Sequence, residues 1–271
     1  MRLSMSDYSK YDQPIITNTL FYPRPEEQPS LTGNNIIELS IPVDDGIHIG
    51  GKIFIAGKTA PSILFFHGNG EIVIDYDDLG PMYVNLGVNF IPVDYRGYGR
   101  SDGQPGVSSM MKDCHAVFEF VRKWLTENGY NKTFIVMGRS LGSASALELA
   151  ACYEDRIDGL IIDSGFAFTL PLLRIIGINP DRLGLREDDG PGNLDKIKKF
   201  SKPTLIIHAE RDHIIPYSDG KKLFDASPAA HKHMLTIPTA DHNTIFMYGL
   251  QKYLTSIKEL VSFITSLNHT Q

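Results

Sequence analysis

Thr133-Phe134-Ile135-Val136-Met137-Gly138-Arg139-Ser140-Leu141-Gly142-Ser143 decides the fold. Its opening residues form a continuous apolar run, the pattern of a strand covered on both faces. Residues 143–153, alanine-rich and compact, read as the helix that follows. Between strand and helix stands G-x-S-x-G, with Ser140 at its centre. In that context the pattern reads as a nucleophile elbow, a sharp turn that lifts the serine oxygen clear of the sheet. The turn strains the serine backbone and crowds its surroundings, so glycines stand two residues before and two after. The helix that opens there aims its free N–H groups towards an anion.

The same rhythm continues outward. Residues 62–66, 88–93, 157–162, 204–208 and 234–237 are short apolar runs that read as strands. Residues 108–128 and 244–267 read as helices, the first with apolar side chains at helical spacing from Met111 to Leu125. Strands alternating with helices predict a mostly parallel sheet with helices on both faces. Residues 35–43 and 47–55 precede this rhythm and read as an antiparallel pair turned at Asp44-Asp45-Gly46. Residues 1–34 read as a polar arm on the surface. Residues 165–201, broken by Pro171, Pro180 and Gly190-Pro191-Gly192, read as an insertion over the sheet edge. The expected organisation is one domain: an arm (1–34), a core (35–164 and 202–271) and a lid insertion (165–201).

Composition excludes several classes. A net charge of −6 at pH 7 disfavours a nucleic-acid partner. No apolar run approaches the roughly 20 residues of a spanning helix, so stable membrane insertion is not expected. The N-terminal residues carry no signal-peptide pattern, and Cys114 and Cys152 read as buried reduced thiols. A cytoplasmic setting is the expectation. The sequons Asn131-Lys132-Thr133 and Asn268-His269-Thr270 then read as chance matches.

Other strand ends complete a constellation. His67-Gly68-Asn69-Gly70 follows the run at 62–66, and its glycines let a backbone N–H face the site. The N–H groups of Asn69 and Leu141 read as an oxyanion hole. His67 reads as a loop-holding side chain, and no third glycine supports a dinucleotide site. Asp212 lies just past the strand at 204–208 and reads as the acid that orients a histidine; Asp163 at an earlier strand end is its rival. His242 follows the run at 234–237 and reads as the base. The chain order Ser140, Asp212, His242 is the order this topology produces. His231 and His233 form an H-x-H without an evident third ligand, and His208 reads as structural. Arg139 reads as a salt-bridge partner or a substrate contact.

Taken together, His67–Gly70, the turn Asp94-Tyr95-Arg96-Gly97-Tyr98-Gly99-Arg100-Ser101, Gly138–Gly142 and the Asp212 and His242 segments resemble the α/β-hydrolase superfamily. Within it they resemble the short-capped serine hydrolases: monoacylglycerol-lipase-like, thioesterase-like and serine-aminopeptidase-like members. The resemblance spans roughly residues 35–268. It implies an α/β-hydrolase fold and cleavage of a carboxylic ester or thioester through an acyl-enzyme, with no metal or organic cofactor. The expected substrate is a small-molecule or lipid-like acyl compound. Phe166, Phe168, Leu172 and Ile176 of the insertion are candidates for its pocket, or else merely pack on the sheet. A peptidase or amidase of the same fold, to which Glu187-Asp188-Asp189 could contribute, is one alternative. A non-catalytic binding protein is the other. The sequence leaves acyl group, leaving group and oligomeric state open.

Overall fold

In the computed structural model, residues 7–130 and 132–268 are described, and Asn131, His269 and Thr270 of the sequons lie outside them. The strands are β1 (Ile36–Asp44), β2 (Ile47–Phe54), β3 (Ser62–Phe66), β4 (Asn89–Val93), β5 (Phe134–Arg139), β6 (Gly159–Asp163), β7 (Thr204–Ala209) and β8 (Lys232–Ile237). They form one sheet in the order β1-β2-β4-β3-β5-β6-β7-β8. β2 pairs antiparallel with both its neighbours, and every pair from β4 to β8 is parallel.

The helices are α1 (Pro14–Leu20), α2 (Gly80–Asn85), α3 (Val107–Glu127), α4 (Gly142–Cys152), α5 (Thr169–Ile175), α6 (Asn193–Ile197), α7 (Tyr217–Ala226) and α8 (Ile245–Asn268). They split the core into two apolar layers. Along β3, Leu64 and Phe66 join the layer that holds α3 and α4, while Ile63 and Phe65 join the layer that holds α2 and α8. Side chains of period 2, buried on both faces, explain why the central strands read as unbroken apolar runs.

Two expectations change, that of an arm on the surface and that of a buried Cys152 thiol. The arm does not lie over the surface: Tyr8, Tyr11, Ile16 and Phe21 are buried in the layer of α3 and α4. Their irregular spacing matches neither strand nor long-helix period, which hid the burial among polar neighbours. The insertion is likewise anchored, with Leu173, Ile178, Leu185, Ile197 and Phe200 buried in the same layer. Cys152 is half-buried where a buried thiol was expected, and both thiols are free.

The sheet order reverses at β3, where the chain first steps outward to β4 and then crosses to β5. Such a switch leaves a crevice beyond the carboxyl ends of the strands. The segments after β3, β5, β7 and β8 all leave the sheet at that end.

Candidate active site

Ser140 follows β5 with φ of +50°, a left-handed value that a serine adopts only when its surroundings impose it. A Cβ at Gly138 would stand 2.3 Å from the Gly142 carbonyl oxygen, and one at Gly142 would stand 2.1 Å from that of Phe66. Both positions therefore exclude any side chain. The Ser140 N–H donates to the Asp163 carbonyl at 2.8 Å, tying the turn to β6.

The structure brings Ser140, His242 and Asp212 together. His242 Nε2 lies 2.9 Å from Ser140 Oγ, and Nδ1 lies 2.7 Å from Asp212 Oδ2. Asp212 Oδ1 accepts from the backbone N–H groups of Ile214 and Ile215 at 3.0 and 2.8 Å. Burial by itself would raise the Asp212 carboxyl. The hydrogen bond and charge of His242, with the Ile215 N–H, outweigh it and hold the carboxyl below its usual range. Asp163, the rival acid, is fully buried and bonds instead to the hydroxyls of Ser164 and Tyr253. Burial, its largest influence, raises its pKa.

Among the described residues, neither the Asn69 N–H nor the Leu141 N–H donates to a protein acceptor. The loop that carries Asn69 is braced from several sides. His67 is buried, with Nδ1 2.7 Å from the Gly68 carbonyl and Nε2 3.2 Å from Asp94 Oδ1. The Tyr95 hydroxyl donates to the His67 carbonyl at 2.7 Å. Asn69 Oδ1 accepts from the Tyr98 hydroxyl at 2.7 Å and from the Tyr22 N–H at 2.8 Å. Arg24 Nε donates to the Gly70 carbonyl at 2.8 Å, and its guanidinium pairs with Asp75. The arm thus reaches the site, which no pattern in residues 1–34 announced.

Other singled-out residues have local partners. Arg96 makes a bidentate pair with Asp113 at 2.6 and 2.8 Å. Glu210 accepts the Thr239 N–H, and buried His208 lies 2.9 Å from the Ile215 carbonyl. Burial lowers the His208 pKa. Glu187 accepts the N–H groups of Thr169 and Leu170 at the start of α5, and Asp189 pairs with Lys10. Glu187 and Asp189 are therefore occupied in holding the insertion, while Asp188 between them is exposed. His231 stacks on Phe263 with ring centroids 3.6 Å apart.

The pocket candidates divide. Phe166 is 3% exposed and packs in the core layer of α3 and α4. Phe168, Leu172 and Ile176 are half-buried, and Lys222 Nζ sits 4.8 Å from the centre of the Phe168 ring. His115, Glu148 and Cys152 bring a ring nitrogen, a carboxylate oxygen and a thiol within 4.8 Å of one another. Lys196 Nζ lies 2.5 Å from the same Glu148 carboxylate. An ammonium at that distance already balances the carboxylate and would repel a divalent ion.

Comparison with known proteins agrees with this fold. Residues 57–173 match the family model described as serine aminopeptidase, S33. The human alpha/beta hydrolase domain-containing protein 17B is 32% identical over 207 residues, 74% of this chain. The mouse protein 17C is 30% identical over 222 residues, 78% of this chain. The matched stretches span 66% and 63% of those relatives, just under two thirds of their length. Among solved structures, an esterase of Pyrococcus furiosus superposes with a TM-score of 0.68 at 18% identity, covering 86% of this chain and 97% of its own. A monoacylglycerol lipase of Paleococcus ferrophilus gives 0.61 at 18%, covering 80% and 98%. The fold is the α/β-hydrolase fold. The chain belongs to the α/β-hydrolase superfamily.

Proposed function

We propose that this chain is a serine hydrolase that cleaves a carboxylic ester or thioester through an acyl-enzyme. The observation that carries the reading is the unbroken path from Ser140 Oγ through His242 to Asp212, at 2.9 and 2.7 Å. His242 Nε2 takes the Ser140 proton as Oγ adds to the carbonyl carbon. The carbonyl oxygen becomes an oxyanion facing the N–H groups of Asn69 and Leu141. Asp212, held ionised, keeps the imidazole proton on Nδ1 and stabilises the imidazolium. His242 then gives its proton to the leaving alcohol or thiol, and water releases the acid by the same steps.

The substrate in this reading is a small-molecule or lipid-like acyl compound. Phe168, Leu172 and Ile176, half-buried on the insertion, are its candidate apolar contacts. A cytoplasmic setting belongs to the reading, in keeping with the free thiols of Cys114 and Cys152. Among the described residues, no helix is long and apolar enough to cross a membrane.

A peptidase reading is favoured by one observation, the match to a model described as serine aminopeptidase. That match ends before Asp212 and His242. Of the acidic residues Glu187-Asp188-Asp189, Glu187 and Asp189 are already bonded within the protein, while Asp188 is exposed.

Hydrolysis of p-nitrophenyl esters from acetate to long acyl chains separates these readings. Turnover by the wild type and none by Ser140→Ala, with both folding alike, is the expected result. A wild type inert on the whole series, yet active on aminoacyl amides, would install the peptidase reading instead.

A further inference from the structure

Arg139 and Glu71 stand outside the triad, yet together they reach the His242 segment and the Gly68 loop, and Arg139 adjoins Ser140 in sequence. Arg139 precedes the nucleophile, is buried, and ends β5. Its Nη2 donates to the His242 carbonyl at 3.0 Å. Its Nε pairs with Glu71 Oε1 at 3.2 Å. Glu71 Oε2 in turn accepts the Gly68 N–H at 2.7 Å and the Tyr76 hydroxyl at 2.5 Å. A Cβ at Gly68 would stand 3.0 Å from Glu71 Oε1, so the carboxylate closes directly over that glycine.

We propose that Glu71 and Arg139 are positioning residues that set the nucleophile, the histidine and the oxyanion loop relative to one another. The proposal rests on the serine-hydrolase reading. The geometry explains why a pair is used. Ser140, Gly68 and His242 lie on segments that follow β5, β3 and β8, and β8 is the far edge of the sheet. Strand pairing cannot fix the His242 segment against the Gly68 loop, because no ladder joins β8 to β3. A planar guanidinium supplies donors in a fixed fork, so one side chain can hold a carboxylate and a carbonyl at once. The guanidinium is buried, so both bonds are shielded from water on the arginine side. Hydrogen bonds to charged groups are also the stronger ones. A stable fold needs only that the charges cancel. Alignment of the site needs these particular atoms, and that difference can be measured.

The experiment compares the wild type with Glu71→Gln, Arg139→Met, the double variant and Arg139→Lys, on a p-nitrophenyl ester and in thermal unfolding. Each neutralising single variant leaves a buried charge unpaired and should melt lower. The double variant removes both charges and should recover most of the melting temperature. Its kcat should nevertheless stay about 10- to 100-fold down, with KM within about threefold, because a misplacement near 1 Å has that effect. Arg139→Lys keeps the cation but loses the fork. It should fold and show the same loss in kcat, so the test survives if the double variant fails to fold. Wild-type kcat in a stable double variant or in Arg139→Lys overturns the positioning role and leaves the hydrolase reading intact. A wild type inert to esters and to a fluorophosphonate probe overturns the hydrolase reading, and the positioning role with it.

Discussion

At Ser140 a left-handed backbone, with φ of +50°, meets a hydroxyl 2.9 Å from an imidazole. Strain of this kind costs about 1–3 kcal/mol and persists where neighbours over-determine it. Here the neighbours are Gly138 and Gly142, whose missing side chains admit the carbonyls of Gly142 and Phe66. Asp212 fixes the imidazole from the other side. In Asp212→Asn the amide would donate to His242 Nδ1 and push the ring proton to Nε2, which could then no longer accept from Ser140. A loss of about 10⁴ in kcat is expected with little change in folding, read by ester hydrolysis beside thermal unfolding. The proposed nucleophile and base were legible as candidates because each motif is local: a turn, its glycines and a flanking strand lie within a dozen residues. The acid was less so. Asp163 and Asp212 both end strands, and only three-dimensional contacts assign Asp163 to Ser164 and Tyr253. The Glu71–Arg139 pair was not legible, since nothing in either neighbourhood names a partner that far along the chain.

At the scale of elements, the loop after β3 is held by segments distant in sequence. The arm lays Tyr22 and Arg24 across it, and the turn after β4 adds Tyr95 and Tyr98. An oxyanion donor serves catalysis only if it is already oriented when charge develops. Tyr98→Phe removes the hydroxyl that bonds Asn69 Oδ1 and receives the Tyr22 N–H. We expect kcat to fall about tenfold, equivalent to about 1.4 kcal/mol, with KM little changed. Equal kcat in wild type and Tyr98→Phe would detach the arm from catalysis. The strands were readable because a two-faced apolar run has few other interpretations. The arm was not, since Tyr8, Tyr11, Ile16 and Phe21 are single buried anchors separated by exposed residues.

At the scale of the whole molecule, Glu148 joins elements that are far apart in sequence within one layer. From α4 it meets His115 on α3 at 3.3 Å, Lys196 on α6 at 2.5 Å and the Tyr8 hydroxyl of the arm at 3.5 Å. Burial would raise its carboxyl, but His115 and Lys196 outweigh burial and hold it down to about 2, against 4.5 unperturbed. A lowered carboxylate stabilises the fold fully above its unfolded value. That contribution disappears as pH falls from 4.5 towards 2. Glu148→Gln leaves Lys196 buried and uncompensated, so a loss of about 3 kcal/mol at pH 7 is expected. Denaturant unfolding at pH 7 and at pH 3 should show the gap between wild type and variant narrowing at the lower pH. A gap that widens would contradict the assignment.

The central claim is that Ser140 is an activated nucleophile, and covalent labelling tests it most directly. A fluorophosphonate probe, followed by mass spectrometry of the digested protein, should modify the peptide carrying Ser140 in the wild type. His242→Ala should label far more slowly although its serine is intact. Labelling absent from the wild type, or found on another serine while Ser140 stays unmodified, would contradict the account.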